Sequence, residues 1–155
     1  MALEIERRFL IKNDNWKKFI TKKIFIEQGY LSKNLDDWII RIRCSGNDYE
    51  IALKKHIANF TNLEYEYSIP HEDGATIMSN LSNTIKKERF FLEVEQKSWI
   101  IDCFKENNYP LEIAEIELSS EEEDLSLPSF ISKEITGLKY FSNFSLANKP
   151  FSEWQ

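Results

Sequence analysis

The stretch Glu4-Ile5-Glu6-Arg7-Arg8-Phe9-Leu10 decides how the rest of this chain is read. In an extended strand successive side chains point to opposite faces, so Glu4, Glu6 and Arg8 share one face while Ile5, Arg7 and Phe9 take the other. A surface strand could carry such a row harmlessly. The same grammar recurs down the chain. Arg41 and Arg43 alternate with Ile40, Ile42 and Cys44, and Glu64 and Glu66 are aligned within residues 63–69. Lys87 and Arg89 share a face, and Glu115 and Glu117 stand opposite Ala114, Ile116 and Leu118. Lys54 lies on the face of Ala52 and Glu50, with Lys55 on the other; alternation alone does not say which lysine faces inward.

Working outward, strands are expected over residues 3–12, 23–31, 38–44, 49–55, 63–69, 84–95, 99–104 and 111–118, from β-branched and aromatic content with period-two alternation. Turns are expected at residues 34–37, 45–48 and 96–98. Gly29 inside a strand marks a bulge or a close approach by another group. A short helix is expected through residues 16–20 after Asn13-Asp14-Asn15, and an amphipathic one over 72–81 with Ala75, Met78 and Leu81 inward. Ser119-Ser120-Glu121-Glu122 reads as a helix start, which makes the acidic run 121–124 a solvated helix face. The tail after Pro128 is expected to be mainly helical, ending near Lys149-Pro150. Short connections make the strands antiparallel, and no βα alternation is present. The fold class is therefore mainly β (α+β): a closed eight-stranded antiparallel barrel, in effect a tunnel, with helices packed outside. With the apolar faces turned outward, the charged faces line the interior. Such an interior must hold water, metal ions and an anionic ligand, since unpaired buried charges are very unfavourable.

Composition bounds the function. At 155 residues, 42% hydrophobic and 14% aromatic, the chain has the makings of one domain, residues 1–155, with a real core. A net charge of -6 excludes a general attraction to nucleic acid or an anionic membrane. A phosphate-rich ligand must then be met by a local cluster. Cys44 and Cys103 have no metal-ligand spacing and read as small buried hydrophobes of a reduced compartment. His56 and His71 read as solvent-facing loop residues. No apolar run of membrane-spanning length and no signal-like segment is present, so the expected location is cytoplasmic. Carboxylates without a Cys/His cluster favour a hard cation over zinc.

The ordered series Glu4-Ile5-Glu6-Arg7-Arg8-Phe9-Leu10, Gln28-Gly29-Tyr30-Leu31, Arg41-Ile42-Arg43, Glu64-Tyr65-Glu66, Ala114-Glu115-Ile116-Glu117 and Glu134-Ile135-Thr136-Gly137 resembles the CYTH superfamily, the triphosphate tunnel metalloenzymes, in its short bacterial form. The resemblance implies that Glu4, Glu6, Asp102, Glu115 and Glu117 hold Mg²⁺ or Mn²⁺. It implies that Arg8, Arg41, Arg43, Lys54, Lys87 and Arg89 grip the phosphates, with Glu64, Glu66 and Lys139 in the substrate set. Glu64 and Glu66 also allow a plainer reading as exposed-strand salt bridges. Glu6 or Glu117 would orient the attacking water. Tyr30 matches a family tyrosine sometimes assigned as proton acceptor, but an ordinary phenol titrates near about 10 and ranks below the carboxylates as a base. Three positions depart from the pattern: Arg8 replaces a usual lysine, Ile100 a frequent glutamate, and Tyr140 an arginine of many short members. The implied activity is hydrolysis of inorganic triphosphate, a small-molecule substrate, to pyrophosphate and phosphate by a monomer or homodimer. Alternatives are class IV-type adenylate cyclisation, nucleoside or thiamine triphosphate hydrolysis, or a non-catalytic polyphosphate-binding module.

Overall fold

The computed structural model describes residues 2–34 and 36–154. Its strands are β1 (Leu3–Ile11), β2 (Ile20–Tyr30), β3 (Ile39–Ser45), β4 (Asp48–Ala58), β5 (Thr61–Ile69), β6 (Thr84–Val94), β7 (Lys97–Phe104), β8 (Glu112–Glu117) and β9 (Ile131–Glu134). Two α-helices, α1 (His71–Ser79) and α2 (Asn143–Asn148), and short 3₁₀ turns complete it. The sheet order is β5-β4-β3-β2-β6-β7-β8-β1-β9, and a further β5–β1 pairing closes the first eight strands into an antiparallel barrel. That seam is short: Leu3, Glu4 and Ile5 lie opposite Leu63, Asn62 and Thr61. Farther along, the same edge of β1 is taken by β9, with Phe9 opposite Glu134 and Ile11 opposite Ile131. An unpaired edge there would expose backbone donors and acceptors. The tail expected to be mainly helical therefore begins as a ninth strand, too short to show alternation in the sequence.

Two apolar clusters sit on opposite sides of the wall. Phe9, Trp99, Ile101, Ala114 and Ile116 form the outer one with Leu92, Trp16 and Phe130. Trp16 comes from the 3₁₀ turn Asn15–Phe19, found where a helix over 16–20 is expected, with β2 beginning directly at Ile20. The second cluster contains Ile85, Phe104 and Ile113 together with Ile135, Phe141 and Leu146. Ile85, Phe104 and Ile113 lie opposite Gln28, Lys87 and Asp102, so they share the inward face. The C-terminal segment, α2 included, thus plugs one end of the barrel, and α1 alone of the two helices lies along the outer wall, against β3 and β4. Gly29 answers the close-approach reading, since a Cβ there would stand 2.7 Å from Leu81. Gly74 in α1 lies flat on Tyr49, whose ring a Cβ would meet at 2.2 Å.

The expected helix after Ser119 is absent; residues 119–130 form an irregular strap across the outer cluster. Glu122 and Asp124 are exposed, but Glu121 and Glu123 have partners. Glu121 accepts from Thr61 Oγ1 at 2.6 Å and Asn59 Nδ2 at 3.0 Å, while Glu123 accepts from the Ser119 amide and hydroxyl at 2.7 Å and pairs with Lys97. Side chains bonded to the β4–β5 hairpin and to β7 are not a solvated helix face. The β6–β7 turn is Glu95-Gln96, both at positive φ, so Lys97 already belongs to β7. Leu35 of the expected turn at 34–37 lies outside the described residues. Among the described residues no helix is long and apolar enough to cross a membrane.

Candidate active site

Residues directly opposite on neighbouring strands share a face. Tyr30 faces Arg41, Arg43 faces both Gln28 and Glu50, and Lys54 faces Glu64. Arg89 faces Asp102, Arg8 faces Glu115, and Glu6 faces Glu117. The charged rows of separate strands thereby converge inside one barrel.

Three ion-pair groups result. Lys54 Nζ stands 2.8 Å from Glu4, 3.6 Å from Glu6 and 3.9 Å from Glu64. Lys55 instead lies over the Trp38 ring, which settles the register that alternation leaves open. Arg41 reaches Glu66 at 3.2 Å and Glu50 at 3.6 Å, and Arg43 reaches Glu50 at 3.6 Å. Deeper in, fully buried Asp102 accepts from Lys87 Nζ at 2.7 Å and from Arg89 Nε and Nη2 at 2.8 and 2.9 Å. Arg8 and Arg89 stand 3.9 and 4.0 Å from Glu115.

Burial and crowding set the proton affinities. Burial opposes charge on Lys54, yet Glu6, Glu4 and Glu64 hold its pKa above the usual lysine range. Lys87 goes the other way: burial, helped by Arg89 and Arg43, pulls it to about 7 despite Asp102. Burial opposes charge on Asp102 too, but Arg89 and Lys87 keep it far below the ordinary carboxylate range. Glu4 and Glu115 are raised chiefly by burial, the second also by Glu6. Glu117, exposed at the rim, is still raised by partial burial and by Glu6, Glu64 and Glu66. Tyr30 is raised by burial, which outweighs Arg41 and Arg43.

The interior leaves a cavity of about 420 Å³ lined by Glu6, Arg8, Tyr30, Arg41 and Lys54, within the size range of small-molecule sites. Arg8 Nη2, Arg41 Nε and Glu115 Oε1 are buried without a hydrogen-bond partner. Lys139 is only at the rim, largely exposed and 3.3 Å from Asp36. His56 is exposed as expected, but in β4 and at the cavity mouth, and His71 opens α1; neither is in a loop. Among the described residues no three His, Cys, Asp or Glu side chains stand close enough to hold a metal ion; lysine and arginine occupy the spaces between the carboxylates.

The structure adds residues to which the motifs gave no role. Gln28 and Glu50 sit on the inward faces of β2 and β4, and the strand alternation already carried that signal. Arg8 Nη1 donates to the Phe141 carbonyl at 3.0 Å, Lys87 donates to Asn143 Oδ1 at 3.0 Å, and Phe144 meets the Tyr30 ring edge-on at 5.5 Å. Nothing in the tail's sequence announces these three contacts.

No protein-family model matches the chain. An inorganic triphosphatase of Acetivibrio thermocellus is 31% identical over 157 residues, spanning 100% of this chain and 99% of that protein. The solved structure of the inorganic triphosphatase NE1496 has a TM-score of 0.69 at 26% identity, covering 95% of each chain. A protein of Hippeastrum, assigned as an adenylyl cyclase and described as revealing a dominant triphosphatase activity, shares the fold with a TM-score of 0.60 at 14% identity, over 79% of this chain and 81% of that one. With 31% identity to the first along its whole length and a closed eight-stranded barrel whose inward faces carry charged rows, the chain belongs to the CYTH superfamily of triphosphate tunnel metalloenzymes.

Proposed function

We propose that this chain hydrolyses inorganic triphosphate to pyrophosphate and phosphate inside the barrel, with Mg²⁺ or Mn²⁺. One observation carries the reading: buried N–H groups of Arg8 and Arg41 face a common cavity without acceptors. A buried donor left unmade costs about 1–3 kcal/mol, more when charged, and phosphate oxygens are the acceptors that suit a guanidinium fork. The full-length relative named as an inorganic triphosphatase supports the same substrate.

Charge balance supports the metal. On the inward face Arg8, Arg41, Arg43, Lys54, Lys87 and Arg89 meet a larger number of carboxylates: Glu4, Glu6, Glu50, Glu64, Glu66, Asp102, Glu115 and Glu117. A triphosphate brings about four more negative charges at neutral pH, so added cations are required. By donor chemistry Glu6, Glu115 and Glu117, with Glu4 beside them, suit that need, although Lys54 and Arg8 now stand against them and a bound metal would have to draw them together. They offer hard oxygen donors, Glu115 Oε1 lacks a hydrogen-bond donor, and three of the four are raised toward protonation. Asp102 already accepts from two cations, and we give it the task of holding Lys87 and Arg89 in place. When bound, the metal supplies the positive charge that lets phosphate oxygens approach these carboxylates.

The chain's own residues perform the remaining work. Arg8, Arg41, Arg43 and Lys54 fix the phosphates in line with an incoming water. Glu117 or Glu6 accepts the water proton as its oxygen bonds to the terminal phosphorus; a carboxyl raised by burial and neighbouring acids, as Glu117 is, is a stronger base than an ordinary one. The bond from that phosphorus to the bridging oxygen breaks, and Arg89 with Lys87 offsets the charge left on pyrophosphate. The free thiols Cys44 and Cys103 suit a reducing compartment, and we assign the protein to the cytoplasm. The test supplies inorganic triphosphate, ATP and thiamine triphosphate with Mg²⁺, Mn²⁺ or chelator, and measures phosphate, pyrophosphate and cyclic AMP. Metal-dependent release of phosphate and pyrophosphate from inorganic triphosphate is expected. Cyclic AMP as the main product, or tight binding with no product, would overturn the reading.

A further inference from the structure

Gln28 is fully buried, and both ends of its amide are engaged. Its Oε1 accepts from Arg43 Nε at 3.1 Å, and its Nε2 donates to Tyr30 Oη at 2.7 Å. The direction of this chain is fixed at one end, because a guanidinium has only donors to offer. The amide oxygen must therefore face Arg43 and the NH₂ must face Tyr30. Tyr30 Oη is then an acceptor in that bond, and its own hydrogen has to point elsewhere. Among the described residues no second hydrogen-bond partner holds that hydroxyl, and Tyr30 lines the cavity beside Arg41. The Tyr30 ring also packs edge-to-face with Phe144, which offers no strong acceptor.

From this polarity we infer that Gln28 is a positioning residue: held by Arg43, it fixes the Tyr30 hydroxyl as a hydrogen-bond donor to a phosphate oxygen of the substrate, and not as a proton acceptor. The inference rests on the triphosphate reading above and specifies how one wall of that site works. Burial, which keeps the phenol protonated, agrees with it. A purely structural Gln28 would satisfy buried polar groups and nothing more, and its replacement would then show in stability without changing what Tyr30 contributes.

Gln28→Glu separates the two. The carboxylate keeps Arg43's partner but can only accept, so the Tyr30 hydrogen turns away from the tunnel toward it. With Gln28 in place, Tyr30→Phe should lower kcat/KM for inorganic triphosphate about 10- to 100-fold, the effect of one hydrogen bond to a charged group. In the Gln28→Glu background the same Tyr30→Phe change should cost less than about threefold, and the added carboxylate charge cancels because both arms carry it. Equal costs in the two backgrounds, or no cost in the first, would refute the inference. A second measurement stands if Gln28→Glu does not fold: Tyr30→Phe should shift log kcat down evenly with pH and keep its acid limb. Loss of that limb would make Tyr30 a base and end the proposal. The cycle is repeated on calorimetric binding of inorganic triphosphate, which needs no turnover. A wild type that binds without hydrolysis sinks the enzymatic reading, while the four affinities still decide the role of Gln28.

Discussion

Asp102→Asn isolates the deepest charge in the tunnel. The carboxylate is wholly buried with Lys87, and three N–H groups reach it within 2.9 Å. Removing one member of such a buried group leaves uncompensated charge and costs about 3–5 kcal/mol. Two features place the loss near the lower limit. Lys87 is already pulled to about 7 and can shed its proton once Asp102's charge is gone, and Arg89 retains Glu115 at 4.0 Å. A loss of about 3 kcal/mol in a chain of this size corresponds to a fall in Tm of about 6–12 °C. Thermal melting at pH 7 with chelator present measures it without reference to activity. The pH dependence supplies a second reading. Unfolded Asp titrates near 3.8 and folded Asp102 far lower, so the unfolded state takes up the extra proton as pH falls. Its contribution is therefore complete above that value and is lost below it, and the Tm gap between wild type and variant should narrow below about pH 4. A fall of less than about 2 °C at pH 7, or a gap that is unchanged at pH 3, would refute the assignment of Asp102 as the anchor of two cations.

Other outcomes follow from the same geometry. Glu6→Gln should lower turnover about a hundredfold at saturating metal, whereas Glu122→Gln, on the exposed strap, should leave it unchanged; equal rates in steady-state phosphate release would remove Glu6 from the site. Arg43→Ala should raise KM for inorganic triphosphate about 10- to 100-fold by deleting charge-assisted hydrogen bonds, and an unchanged KM would contradict a phosphate-gripping role. Gly74→Ala should destabilise by about 1–3 kcal/mol because its Cβ would meet the Tyr49 ring at 2.2 Å, and a denaturant midpoint equal to wild type would show that α1 can lift off β4 without cost.

The barrel was legible because its strands obey a period of two with charge on one side and carbon on the other. Glu4, Glu6 and Arg8 against Ile5 and Phe9 show it, as do Glu115 and Glu117 against Ala114 and Ile116. Alternation assigns a face but does not measure distance, and the misreadings arise there. The strap from Ser119 to Phe130 has the composition of a helix start, yet Glu121 and Glu123 bond to Thr61, Asn59 and Lys97, partners set by tertiary structure. β9 has four residues, too few for a pattern, and exists because β1 leaves half an edge open beyond Ile5. The plug was illegible for a related reason. Phe141 contributes a carbonyl to Arg8, and Asn143 a single amide oxygen to Lys87. Neither contact depends on a spacing that a motif could record.

Two of the departures from the family pattern make sense together once the register is known. Ile100 lies opposite Glu115, and Glu115 lies opposite Arg8, so all three share one inward row. An acid at position 100 would add a carboxylate beside one already raised by burial and by Glu6, and would call for a further cation. With isoleucine there, Arg8 and Arg89 share a single carboxylate at 3.9 and 4.0 Å. A guanidinium at position 8 can distribute its donors: Nη1 is held by the Phe141 carbonyl, Nε stands 3.9 Å from Glu115, and Nη2 is left unbonded beside the cavity. A lysine would bring the same charge as a point at the end of a flexible stem, without the rigid fork that reaches the plug and the carboxylate and still leaves a donor beside the cavity. Arg8 therefore couples the C-terminal plug to the cavity, and with Ile100 in the row Glu115 is the one carboxylate that Arg8 and Arg89 have to balance there.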